Sequence, residues 1–301
     1  MNTYPVGAVA RTESQWSHRE FVEATKPEYV MMKITRARHL MKRGETFESY
    51  FGPEPTVITT TTIRDNKLNL IRWEDELEIV RKTNPDFHIP TDYSVYEHFS
   101  EKEQIKSIVS CMEGTKWMKD RLEDDGIKII PLFKGKTREQ RQIVYDTMNE
   151  LNIDYGAFYA SRYFTGGYGN RKWDMIHDIE EIVAEYDPQI MVIGCMAPQY
   201  VNEMPPNVVA VAGQAQWRRA VKPRKQSESE MKSEWNELSN NVFRELRHNP
   251  YTEMRIDEES WRENVFEHQA KVEDEVKRVE EKVLEKAKDN AKERLRVKEK
   301  E

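Results

Sequence analysis

The sequence predicts an α/β fold, an irregular TIM-like (β/α) barrel with a charged C-terminal helical extension. Three observations lead there. Short β-rich runs centred on Ile58, Ile89, Ile130, Phe158 and Val192 recur at about 30 to 40 residues, the spacing of βα units. Apolar residues at offsets of three and four fill the intervals, as one face of a helix requires. After Gln226 the composition turns to charged residues with few β-formers. Strands alternating with amphipathic helices form a parallel sheet covered on both faces, and a barrel is the expected arrangement, ahead of an open doubly wound sheet.

Taken in order, residues 29–32 offer a first, weaker strand, and the Thr-rich run 56–60 a clear one. Trp73, Leu77 and Val80 then share a helical face. Strand 86–90 precedes the helical set Ile105, Ile108, Val109 and Met112, and strand 127–133 precedes Val144, Met148 and Leu151. Strand 155–159 is followed by Ile176, Ile179 and Val183, and strand 190–194 by 208–211. The last interval is too short for a full crossover helix, and Pro198, Pro205 and Pro206 interrupt it, so the barrel is expected to be distorted at its end. The runs do not add up to eight strands, and closure is an inference. The division expected is 1–226 for the barrel and 227–301 for the extension, where Val272, Val276, Val279, Val283 and Ala287 form a narrow apolar stripe.

The chain has 301 residues, 38% hydrophobic and 34% charged, with a net charge of −7 and a mean hydropathy of −0.86, which describes a globular chain with a polar surface. No apolar run reaches the roughly 20 residues that cross a bilayer, and residues 1–12 lack a secretory pattern. The expectation is a cytoplasmic protein with no membrane partner. Cys111 and Cys195 are too few for a disulfide framework or a Cys-rich zinc site. Cys195 reads as a packing residue, and His88 and His98 read as structural rather than as metal ligands.

Parallel barrels carry their sites on the loops after the strands, where side chains converge on one mouth. Asp92, delivered by Ile89-Pro90-Thr91, is the leading catalytic candidate, with a loop-capping carboxylate as the alternative. Asp65 follows the Thr-rich strand, whose Thr62 adds a hydroxyl. Tyr93, Lys134, Gly135, Ser161, Gly194 and Gln214 occupy comparable positions as substrate-binding candidates, and Gly166 and Gly167 lie in a glycine-rich connector. Two basic clusters offset the acidic total: Lys33, Arg36, Arg38, His39, Lys42 and Arg43, and then Arg218, Arg219, Lys222, Arg224 and Lys225 beside Trp217. The second could track a phosphate backbone, with Trp217 available to stack on a base; by itself the cluster is better read as a solvated helix face or linker.

The order of elements from Asn84 to Trp217 resembles the guanine transglycosylase superfamily, the tRNA-guanine transglycosylases and their DNA-modifying relatives. Residues 84–92 resemble the family strand whose closing Asp recognises the base. Ile130-Pro131-Leu132-Phe133-Lys134-Gly135 is similar to the strand ending in Gln-Gly, and Tyr159-Ala160-Ser161 stands in place of Gly-Gly-Leu. Residues 193–198 are similar to the Met-Gly segment ending in Pro. The sequence departs from the family in lacking the Asp-Ser-Gly-Gly-Phe-Gln motif, the zinc cysteines and a carboxylate near 208–214, and in carrying Lys134 where the family reads the base with Gln. The resemblance implies exchange of guanine in nucleic acid, DNA ahead of tRNA, for a 7-deazaguanine base. It implies no cofactor, Asp92 on the base, Asp65 as the second carboxylate, and a viral or mobile-element setting in a host cytoplasm. A homo-oligomer is compatible with this reading. A non-catalytic nucleic-acid-binding barrel and an unrelated barrel enzyme for a phosphorylated small molecule remain the alternatives.

Overall fold

The computed structural model describes residues 4–164 and 170–247. In chain order the elements are β1 (Gly7–Thr12), α1 (Trp16–Thr25), β2 (Tyr29–Lys33), α2 (Ile34–Lys42), α3 (Phe47–Phe51), β3 (Thr56–Thr60), α4 (Asp65–Leu68) and α5 (Trp73–Thr83). Then follow β4 (Phe87–Ile89), α6 (Glu101–Leu122), β5 (Lys128–Ile129), α7 (Arg138–Glu150), β6 (Tyr155–Tyr159), a 3-10 turn (Ser161–Phe164) and α8 (Lys172–Tyr186). The chain continues through β7 (Gln189–Ile193), α9 (Pro198–Val201), β8 (Val208–Gly213), α10 (Ala215–Val221) and α11 (Glu228–Arg247).

The strands form one 8-stranded sheet in the order β5-β4-β3-β2-β1-β8-β7-β6, and every pairing is parallel. That order is the sequential winding of a TIM-like barrel. The ladder is open between β5 and β6, where a single bridge, Leu132↔Ala157, joins the edges. Beside it Ala157 N–H donates to Pro131 O at 2.7 Å and Phe133 N–H to Ala157 O at 2.9 Å. Pro131 has no N–H to give, so the strand expected over 127–133 shortens to Lys128–Ile129 and this bridge.

Register sorts the side chains into two faces. Val9 and Arg11 of β1 pair with Tyr29 and Met31 of β2, and Tyr29, Met31 and Lys33 pair with Thr56, Ile58 and Thr60 of β3. This set lines the interior. Its lower end is closed by Tyr4, which stacks on Tyr155 of β6 at 4.6 Å and meets Phe87 of β4 at 5.7 Å. Contact between residues of such separated strands is possible only across the lumen. The opposite faces pack on the helices through Val30, Met32, Val57, Thr59 and His88, all nearly inaccessible.

The structure differs from the sequence reading at two further places, β1 and the buried face of α6. Strand β1 was not expected. The helical face of α6 is Ile108, Cys111, Met112, Met118 and Leu122, whereas Ile105 and Val109 are exposed. Helix α11, which opens the stretch expected as an extension, buries Met231, Trp235 and Val242, with Trp235 edge-on to Phe21 at 5.4 Å. The Val272 to Ala287 stripe lies outside the described residues. Among the described residues no helix is long and apolar enough to cross a membrane.

Candidate active site at the strand ends

Asp92 reaches the mouth through a strained turn. Strand β4 ends at Ile89, Pro90 prevents the ladder from continuing, and Thr91 takes φ +45, a left-handed conformation that a β-branched residue seldom adopts. Two bonds hold Thr91 there: its N–H donates to Glu76 Oε1 at 2.9 Å and its hydroxyl to Cys111 O at 3.1 Å. Glu76 is itself set by His88, 2.8 Å away, whose other ring nitrogen lies 2.7 Å from the Thr59 hydroxyl. Gly114 of α6 leaves the space, because a Cβ there would come within 2.7 Å of the Thr91 side chain. The sharp turn points Asp92 inward, with its N–H donating to Thr61 Oγ1 at 2.9 Å.

The Asp92 carboxylate forms an ion pair with Lys134, presented by the segment after β5, and both side chains are largely buried. Lys134 Nζ also donates to Tyr93 O at 3.1 Å. Burial alone would push the Lys134 ammonium down, but Asp92, with a contribution from Cys111, holds the pKa above the ordinary lysine value. The Tyr93 hydroxyl accepts from Trp73 Nε1 at 3.0 Å. Asp65, the first residue of α4, accepts from Ser94 Oγ at 2.6 Å and from the Tyr96 hydroxyl, one on each oxygen. Burial raises its pKa, yet these bonds and the cations Arg162 and Lys134 bring it below the usual aspartate value. Arg162 lies over the Tyr96 ring at 4.1 Å and donates to Val95 O at 3.1 Å. Asp92, Lys134 and Tyr93 are thus brought together, with Asp65 near enough to feel the Lys134 charge.

The other candidates fall elsewhere. Thr62 is buried, its hydroxyl 2.9 Å from that of Thr60. Gly135, at φ +100, makes its close approach to α7, where a Cβ would stand 2.7 Å from Gln140 Cβ. Ser161 and Gly194 meet each other, since a Cβ on Gly194, at φ +106, would overlap the Ser161 side chain. Gln214 is partly buried just before α10. Arg218, Arg219, Lys222, Arg224 and Lys225 are all exposed, on and just after α10. Trp217 is not available to stack on a base: it is fully buried, stacked on Phe21 at 4.0 Å, and its Nε1 donates to Arg11 O at 3.0 Å. Gly166 and Gly167 lie outside the described residues.

Sequence reasoning missed Arg11. It stands on the interior face of β1, where Tyr159 of β6 and Glu13 favour its charged form against burial. The available signal was the alternation Val9-Ala10-Arg11, which puts a cation on the same face as a core valine. Nearby, Glu13 pairs with Arg36 at 3.0 Å and with Lys33 at 4.0 Å. Among the described residues no group of three or more His, Cys, Asp and Glu is arranged to hold a metal ion. The chain matches no family model and no curated protein.

Proposed function

We propose that this chain is a base-exchange enzyme of the guanine-transglycosylase type, replacing guanine in nucleic acid, DNA ahead of tRNA, by a 7-deazaguanine base. The observation that carries the reading is the Asp92–Lys134 pair at the strand ends of a TIM-barrel-like fold. A carboxylate acceptor beside an ammonium donor complements the edge of guanine, whose ring N–H and amino group donate while O6 and N7 accept. Asp92 accepts from the base and Lys134 donates to O6 or N7, stabilising the negative charge that guanine gains as it leaves.

The covalent step falls to Asp65. Its depressed pKa keeps the carboxylate ionised at neutral pH, as attack on the anomeric carbon requires. The new carboxylate–carbon bond replaces the bond to guanine, whose electrons leave on the base. The ring nitrogen of the incoming 7-deazaguanine then attacks the same carbon, releases Asp65 and loses its proton to solvent. In the transition state of each step positive charge builds on the sugar, where the partly bonded Asp65 carboxylate stabilises it.

Incorporation of labelled guanine into DNA and tRNA tests the proposal. The expected result is incorporation by the wild type and none by Asp92→Asn with its fold retained. Tight, salt-sensitive binding without incorporation favours a second reading, a non-catalytic nucleic-acid-binding barrel. One observation speaks for it: both Asp65 oxygens already accept hydroxyl bonds, which weakens a nucleophile.

A further inference from the structure

From the side chains at the upper ends of β1 and β2 we infer that Arg11, Lys33 and Arg36 form a subsite for a tetrahedral phosphate dianion at the barrel mouth, distinct from the Asp92–Lys134 pair. Arg11 projects into the lumen near the end of β1, and Lys33 ends β2 on the same face, its register partner being Thr60 of β3. Arg36 follows one turn into α2. Among the described residues Glu13 is the one carboxylate that pairs with Lys33 and Arg36, so one negative charge serves a cluster that also feels Arg64.

Lys33 carries the mark of positive charge that Glu13 does not fully balance. Burial and then Arg11 push the Lys33 ammonium below the ordinary lysine value, and Glu13 does not offset them. Burial likewise lowers the Arg11 guanidinium, with Tyr159 and Glu13 only opposing. Cations gathered where burial partly strips their water repel one another at a cost to folding that a bound anion removes. Arginine supplies a planar fork and lysine a compact charge, a pairing suited to phosphate oxygens. The site shares the rim with the base-reading pair, because Thr60 links β2 to β4 through Ile89. In the base-exchange reading the anion is the phosphate beside the exchanged nucleotide, and the inference rests on that reading only for the source of the phosphate.

The test is calorimetric titration of the full chain with inorganic phosphate, with deoxyguanosine and its 5′-monophosphate, and with a short single-stranded oligonucleotide. The expected results are measurable binding of phosphate, tighter binding of the monophosphate than of the nucleoside, and loss of that advantage by about tenfold or more in Arg11→Met and in Lys33→Met. Nucleoside affinity stays unchanged in both variants. If Arg11→Met does not fold, Lys33→Met decides alone, since that side chain is 36% exposed. Its melting temperature without ligand equals or exceeds that of the wild type, and phosphate no longer raises it. Binding of phosphate and monophosphate without the oligonucleotide assigns the source to a free nucleotide and still supports the site. No phosphate binding, or binding untouched in both variants, overturns it. Guanine incorporation is scored separately, so loss of the exchange reading leaves this result standing.

Discussion

Asp92 and Lys134 are each tolerable in the barrel because the other is present. Removing one charge strands its partner, and the stranded charge dominates the cost. Lys134→Met should therefore lower stability by about 3 kcal/mol, and adding Asp92→Asn should recover most of it; a denaturation double-mutant cycle reads the coupling. Asp92→Asn alone should abolish guanine incorporation, while circular dichroism shows the fold kept. His18 makes a second residue-scale case. It is almost wholly buried, accepts the Glu13 N–H on Nδ1 at 2.8 Å, and is held at a pKa of about 4, first by burial and then by Arg218. Between that value and the ordinary 6.5 the unfolded chain binds a proton that the folded chain refuses. Stability is thus complete above 6.5 and falls as pH drops toward 4, by at most on the order of 3 kcal/mol. Denaturant midpoints measured from pH 7 to pH 4 should show this fall, and His18→Asn should flatten it.

At the scale of elements, the β4–α6 contact sets the direction of Asp92, and Gly114 is its control point. Alanine is the better helix former by about 1 kcal/mol, so Gly114→Ala would stabilise an isolated α6. Here the new Cβ meets Thr91 at 2.7 Å, where Thr91 is already in a left-handed turn. The expected outcome is a net loss of about 1 to 2 kcal/mol and reduced guanine incorporation, from displacement of the turn before Asp92. A variant at once more stable and fully active would show that the contact does not position Asp92. The same region shows what was legible beforehand. Strands β3, β6 and β7 are dense in Thr, Val, Ile and aromatics and lie where pattern places them. Strand β1, Gly-Ala-Val-Ala-Arg-Thr, has small residues of weak β preference, so it was passed over, and Arg11 with it. The Asp92–Lys134 pair was foreseen as two candidates on successive strand ends, but not as an ion pair, because pairing depends on the Thr91 turn. Trp217 was misread because its neighbours Arg218 and Arg219 are exposed, whereas its own ring fills the space between α10 and Phe21.

Over the whole molecule, a net charge of −7 coexists with cations concentrated at particular places. Long-range repulsion between an acidic protein and a polyanion is screened within about 10 Å at 0.1 M salt, so contact affinity is decided by the local patch. In the proposed function two exposed cationic patches would face a nucleic-acid strand laid across the C-terminal ends of the barrel: the mouth with Lys33 and Arg36, and the segment of Arg218, Arg219, Lys222, Arg224 and Lys225 after β8. Each cation that neutralises a phosphate releases condensed counterions, so the slope of log affinity against log salt counts the contacts, at about 0.7 per phosphate for single strands. Arg218→Ala with Arg219→Ala should lower that slope by about 1.4 in a fluorescence titration with single-stranded DNA and weaken binding alike for all sequences. Asp92→Asn should leave the slope unchanged and remove the preference for guanine-containing strands, because a base contact carries identity while a phosphate contact carries charge. An unaltered slope in the arginine variant would make that cluster an ordinary solvated surface, and the binding face would then be the mouth alone.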